Sequence, residues 1–169
     1  ADVPDQAYSD GLIADEAVRR LQAFAAQPSA PFFLAVGFVK PHLPFCAPRK
    51  YWDLHRRSDF ALPARRTPPA GVPEYTLPRG SEVYGYSGVP AARPLPEDYQ
   101  LELIHGYHAA VSYVDAQAGR VLAELERLGL AGRTVVVVWG DHGWHLGDHG
   151  FWGKATNLEE AARIPLLVR

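Results

Sequence analysis

The chain has 169 residues, enough for one domain with a real core, and its 47% hydrophobic and 21% charged content is ordinary for a soluble globular protein. A net charge of −2 argues against a nucleic-acid-binding domain, and no apolar run approaches the roughly 20 residues that a bilayer span needs. The single cysteine, Cys46, excludes an internal disulfide, and the polar opening Ala1-Asp2-Val3-Pro4-Asp5 does not read as a signal peptide.

Residues 10–26 are predicted as a helix. Ile13, Ala17, Leu21 and Phe24 fall at spacings of four, four and three and form one apolar stripe; Ser9 or Asp10 is placed to cap its start and Pro28 to end it. Residues 31–38 read as a buried strand that runs into a proline-stiffened loop, Val39-Lys40-Pro41-His42-Leu43-Pro44-Phe45. From about 47 to 94 the chain is a long connection rich in Pro, Arg, Tyr and Gly, expected to be irregular and to form surface turns or a substrate-binding rim.

Residues 97–128 are predicted as a long helix. Leu103, Tyr107, Val111, Val114, Ala118, Val121, Leu125 and Leu128 recur every three or four positions as a core-facing stripe should, Glu97 and Asp98 suit the positive end of the helix dipole, and Gly129 stops it. Thr134 to Trp139, with its run of valines Val135 to Val138, reads as a fully buried strand, Ile164 to Val168 as a third strand, and 157–163 as a short helical turn. Strand, long helix, strand predicts a crossover unit of an α/β sheet. Three strands are few for a complete doubly wound domain, so residues 1–169 are read as one partial domain of a larger fold.

The densest chemistry follows the valine run: Gly140-Asp141-His142-Gly143-Trp144-His145-Leu146-Gly147-Asp148-His149-Gly150, and then Lys154. Strand carboxyl ends are where open α/β sheets bind ligands. Asp141 offers a hard oxygen suited to Ca²⁺ or Mg²⁺ and His142 an imidazole suited to transition metals; otherwise Asp141 caps a turn and His142 sits in a polar loop. Lys154 is placed either to neutralise or protonate a bound anion's leaving oxygen or to be a solvated lysine. Lys40 and His42 follow the earlier strand, so two loops, each with a Lys and a His, compose a candidate anion pocket; exposed loop residues are the plainer alternative. A zinc site from His142, His145 and His149 would need a continuous helix, against which the interspersed glycines cost ~1 kcal/mol each, and no Glu follows a His in the zinc-protease arrangement. His105 and His108, on the long helix, read as packed or surface residues rather than ligands.

Lys40-Pro41-His42-Leu43-Pro44-Phe45 after an apolar strand, Gly106-Tyr107-His108-Ala109-Ala110-Val111-Ser112-Tyr113-Val114-Asp115 on a long helix, the Gly140–Gly150 segment and Trp152-Gly153-Lys154 together resemble the sulfatase family, in that order. Among sulfatases the chain is most similar to the iduronate-2-sulfatase group with its bacterial members. The resemblance implies an alkaline-phosphatase-like α/β fold with helices on both faces of a central sheet. It implies that Asp141 and His142 are the later pair of ligands for a divalent cation, usually calcium, in a site left incomplete by this chain. Lys154 would contact the sulfate and help the leaving group, and His42 would line the sulfate pocket. Lys40 and His149 are taken as further substrate-binding candidates.

The family's nucleophile is a formylglycine made from Cys or Ser in a Cys-x-Pro-x-Arg motif. Cys46-Ala47-Pro48-Arg49-Lys50 imitates that motif, but it follows the Lys-Pro-His loop instead of preceding it, and so is rejected. The nucleophile and an Asp-Asp metal pair are expected outside this chain, leaving the chain inactive alone. The expected function is hydrolysis of a sulfate ester on a small molecule or glycan, one containing uronic acid being favoured, with no nucleic-acid partner and no membrane span. A periplasmic or secreted location is expected if the parent is a bacterial sulfatase. Hydrolysis of phosphonates or phosphodiesters by the same superfamily, and a non-catalytic module binding anionic glycans, stand as alternatives.

Overall fold

Helix α1 spans Ser9–Ala25 in the computed structural model of the chain, which describes residues 1–78 and 80–169. It buries Asp10, Gly11, Ala14, Ala17 and Leu21, while Ile13 and Phe24 lie half-buried beside that stripe. No side chain caps its start. Asp10, fully buried in the first turn, instead accepts the backbone N–H groups of Val39 and Lys40, both at 2.8 Å. A charged acceptor with two amide donors is a strong tether, so the helix start fixes the segment that leads into the Lys40–His42 loop.

Two compact units emerge, each assembled from two stretches of chain: residues 1–55 with 106–135, and residues 56–105 with 136–169. In the first, α1 and the short helix α2, Arg49–Trp52, share a core with the later part of α3, Glu97–Arg127. Ala47, Tyr51, Ala109 and Tyr113 form its buried cluster. The Tyr113 hydroxyl accepts the Gly11 N–H at 2.7 Å and donates to the Asp5 carbonyl at 2.9 Å. The Asp5 carboxylate collects Tyr51 Oη at 2.9 Å, Gln117 Nε2 at 3.0 Å and Lys50 Nζ at 2.8 Å. Burial pushes this carboxyl up, but those three partners outweigh it and hold Asp5 below its ordinary value.

The buried face of α3 differs from the predicted stripe. Ile104, Ala109, Ala110, Tyr113, Gln117 and Leu125 are buried, whereas Val111 is 39% exposed. The helix buries small and hydrogen-bonded residues where it approaches its neighbours, and a rule that counts only large apolar side chains misses a face made of Ala and Gln.

In the second unit, β1 (Val137–Trp139) pairs antiparallel with β4 (Leu166–Val168), Val138 opposite Leu167, and mutual 2.9 Å bonds between Val136 and Arg169 extend the ladder. A hairpin of β2 (His145–Leu146) and β3 (Trp152–Gly153) and the short helix α4 (Glu159–Ala162) complete it. The fully buried strand expected at the valine run is not found: Val137, Val138 and Trp139 are exposed, Trp139 by 64%. Continuous apolar runs suit strands covered on both faces, and among the described residues β1 gains only β4 on one edge. Residues 31–38 likewise join no ladder and alternate exposed with half-buried, Phe33 being 89% exposed. The expected parallel crossover is thus replaced by one antiparallel pair.

The 47–94 connection is irregular, as expected, with α2 followed by 3-10 turns at Arg57–Asp59, Glu74–Thr76 and Glu82–Gly85. The last of these packs against β3, where Ser81 Oγ accepts the Trp152 N–H at 3.2 Å. Among the described residues no helix is long and apolar enough to cross a membrane.

Candidate functional site

Lys40 and His42 belong to the first unit; Asp141, His142, His149 and Lys154 belong to the second. The Lys40 ammonium donates to the carbonyls of His42 at 3.0 Å and Pro44 at 2.7 Å, closing the loop on itself, and burial lowers its pKa. His42 Nδ1 lies 2.8 Å from the Leu43 carbonyl. A ring nitrogen facing a carbonyl donates its N–H to it, which fixes the orientation of the ring.

Asp141 and His142 leave β1 in a turn held from below. Gly143 donates its N–H to the Ala161 carbonyl at 2.7 Å, and a Cβ on Gly143 would lie 2.1 Å from the Glu160 carbonyl oxygen. Only glycine lets this turn sit against α4. Asp141, its side chain 86% exposed, accepts the His142 N–H at 3.0 Å, and its other oxygen lies 3.5 Å from His142 Nε2. His142 Nδ1 faces the Gly143 carbonyl at 2.7 Å, which fixes the ring with Nε2 toward Asp141.

One carboxylate and one imidazole side by side fit one side of a divalent-cation site, because a carbonyl partner on the far nitrogen is the usual way a ligating histidine is oriented. Calcium takes six to eight donors, and among the described residues no group of three or more His, Cys, Asp or Glu is arranged to hold a metal. The zinc reading finds no gathering of its three histidines either, since His145 is turned into the interior of the unit.

Lys154 follows β3 directly. Its ammonium lies 3.5 Å from Glu82 Oε2 and 5.6 Å from the centroid of the Trp144 ring. Together with Ser81, Glu82, His145, Phe151 and Thr156 it lines a cavity of about 100 Å³. Fully buried His145 stands opposite Gly153 in the hairpin, and its Nε2 lies 2.8 Å from Thr156 Oγ1. Burial lowers the His145 pKa, while Glu160 and Asp148 pull it the other way. His149, in a left-handed conformation at φ 57, places Nε2 3.4 Å from Glu160.

Of the residues singled out in the sequence, Lys154 shares its cavity with His145, and the His145 ring lies 6.2 Å from that of His149. Thr156 and Glu82 were not anticipated. Thr156 lies two positions past the motif, and Glu82 is embedded in a connection with no periodicity. His105 and His108 pack on aromatic rings, against Phe60 at 5.6 Å and His55 at 5.8 Å, as non-ligands should.

A family model described as Sulfatase matches residues 1–169. Iduronate 2-sulfatase of Mus musculus is 37% identical over 99% of this chain and 31% of its own length; that of Homo sapiens is 35% identical over 98% and 31%. The chain thus spans about a third of the length of these relatives. Among solved structures, the phosphonate monoester hydrolase SpPMH from Silicibacter pomeroyi superposes with a TM-score of 0.79 and 26% identity, over 99% of this chain and 33% of that one.

Proposed function

The chain belongs to the sulfatase family, with its alkaline-phosphatase-like α/β fold, and on that premise we propose that it forms part of the catalytic domain of a longer protein that hydrolyses sulfate esters. The names of its iduronate-sulfatase relatives favour an ester on a uronic-acid-containing glycan. The observation that carries the reading is the placement of Lys154, directly after β3, on the wall of a small cavity that Ser81, Glu82 and Thr156 also line. A lysine flanked by hydroxyl-bearing residues suits a tetrahedral oxyanion, which would take the place of Glu82 beside the ammonium.

In this reading Lys154 binds the sulfate and supplies a proton to the departing alcohol oxygen. His42 lines the sulfate pocket, and Lys40 stiffens its loop. Asp141 and His142 would hold one side of a calcium ion, which when bound supplies positive charge against the sulfate. The nucleophile, a formylglycine, is assigned to sequence outside this chain, so the chain alone is inactive.

The test measures turnover of an aryl sulfate. The 169-residue chain is expected to give none, and the protein extended to the length of its relatives to lose about 100-fold or more on Lys154→Ala, the usual weight of a proton-transfer group. Turnover by the chain at the rate of the extended protein would overturn the reading. The second reading, phosphonate or phosphodiester hydrolysis, is favoured by the likeness to SpPMH; faster turnover of a phosphonate monoester than of the sulfate would decide for it.

A further inference from the structure

A second, wider cleft of about 620 Å³ is lined by Arg65, Arg66, Thr67, Pro68, Pro69 and His149. Its lining holds no carboxylate. Glu97 engages Arg66 at 2.6 Å from outside it, Glu160 engages His149, and Arg65 makes no ion pair among the described residues. Arg65 is therefore the cation of this cleft that no carboxylate among the described residues engages, and prolines form an apolar wall beside it.

Its frame is tied to the loop that carries Lys154. His149 donates its N–H to the Arg65 carbonyl at 2.7 Å. Gly150, at φ 79, lies so close that a Cβ there would stand 3.0 Å from the Arg66 carbonyl oxygen. The left-handed turn at His149 and Gly150 thus clasps the Arg65–Arg66 backbone. The rings of His145 and His149, 6.2 Å apart, link the two cavities, His145 lining the one at Lys154 and His149 the other.

We propose that this cleft is a subsite for a second oxyanion of the substrate, a carboxylate or sulfate on the sugar that bears or adjoins the scissile ester, with Arg65 as its principal ligand. The inference rests on the reading of Lys154 as the sulfate-binding lysine. A guanidinium presents a planar fork of N–H groups that matches both oxyanions. Prolines hold the adjoining wall without mobile side chains, so little order is lost on binding. A sulfate ester with no second anion would leave this cleft empty, and a doubly anionic glycan fills it.

The experiment uses the 169-residue chain and follows binding by NMR with three probes: inorganic sulfate, a 2-O-sulfated uronate disaccharide, and that disaccharide with its carboxylate reduced to the alcohol. Arg65→Gln is expected to weaken the disaccharide about tenfold while inorganic sulfate still shifts the Lys154 and Thr156 resonances unchanged. Carboxyl reduction matching the effect of Arg65→Gln identifies the uronate as the second anion. Loss on Arg65→Gln without loss on reduction, in a disaccharide whose only other anion is the scissile sulfate, overturns the subsite as a site for a second oxyanion. Equal affinity of wild type and Arg65→Gln for the disaccharide, with Lys154→Gln still weakening it, overturns the subsite and leaves the sulfatase reading standing. Equal affinity for all three proteins overturns both. Arg65 is exposed, so an unchanged melting temperature will show that the variant remains folded.

Discussion

His145 Nε2 lies 2.8 Å from Thr156 Oγ1, and Thr156 donates its own N–H to the Lys154 carbonyl at 2.8 Å. A buried imidazole thereby pins the turn that presents the lysine. Because burial lowers the His145 pKa beneath its ordinary 6.5, the neutral ring contributes stability that is complete above about pH 6.5 and is lost as pH falls through the folded-state value. Urea unfolding at pH 7.5 and pH 5 should show a smaller loss on acidification for His145→Gln than for wild type. Identical losses would remove His145 as a source of acid sensitivity.

Gly143→Ala places a methyl group 2.1 Å from the Glu160 carbonyl oxygen and 3.0 Å from that of Arg163. Backbone on both sides cannot yield cheaply, so a loss of about 3 kcal/mol is expected by urea denaturation. Gly119→Ala, within α3 and with nothing within 4 Å of the new methyl, should instead gain about 1 kcal/mol. Equal effects from the two would show that α4 does not press on the motif.

Tyr113→Phe leaves the Gly11 N–H without its acceptor and the Asp5 carbonyl without its donor. The expected cost is about 1–3 kcal/mol at neutral pH. Burial, the largest influence, pushes the Tyr113 hydroxyl up to about 12 from 10.0. A raised pKa means that the protonated phenol stabilises the fold below pH 10, and that this contribution is lost as pH rises through about 12. Between these limits the stability of Tyr113→Phe should fall less steeply than that of wild type, as followed by circular dichroism in urea.

Glu82 competes with any anion for Lys154. Both side chains are about a third exposed, so removing the pair should change stability by less than about 1 kcal/mol. Glu82→Gln should, however, tighten binding of inorganic sulfate about threefold, through loss of a like-charged neighbour. Weaker binding would mean that Glu82 orients the lysine more than it opposes the anion.

The candidate residues after the valine run stand out in the sequence because they are packed into one short stretch. Asp141, His142 and Lys154 lie within fourteen consecutive positions, and glycines at fixed places betray the turn. The long helix was readable to within a residue, since its three-and-four spacing continues for most of Glu97–Arg127. Its buried face was not, because Ala110 and Gln117 are buried by close approach and hydrogen bonding and not by hydrophobicity. The pairing of Glu82 with Lys154 and of Arg65 with His149 joins residues far apart in the chain, and no local pattern encodes such contacts. The strand burial was misjudged for a different reason: an apolar run states what a strand needs to be covered by, not whether the cover lies within the same 169 residues.

The β1–β4 ladder has a practical consequence. Val137, Val138, Trp139, Leu166, Leu167 and Val168 are all exposed, and no charge interrupts either strand. Such a bare edge is a template for adding strands from other molecules. Expressed by itself, the chain should be sticky: prone to inclusion bodies, retained by chaperones, and clearest in spectra recorded dilute. Lys or Glu at Val138 or Leu167 offers a direct route to a better-behaved sample, since neither position lines the cavity at Lys154.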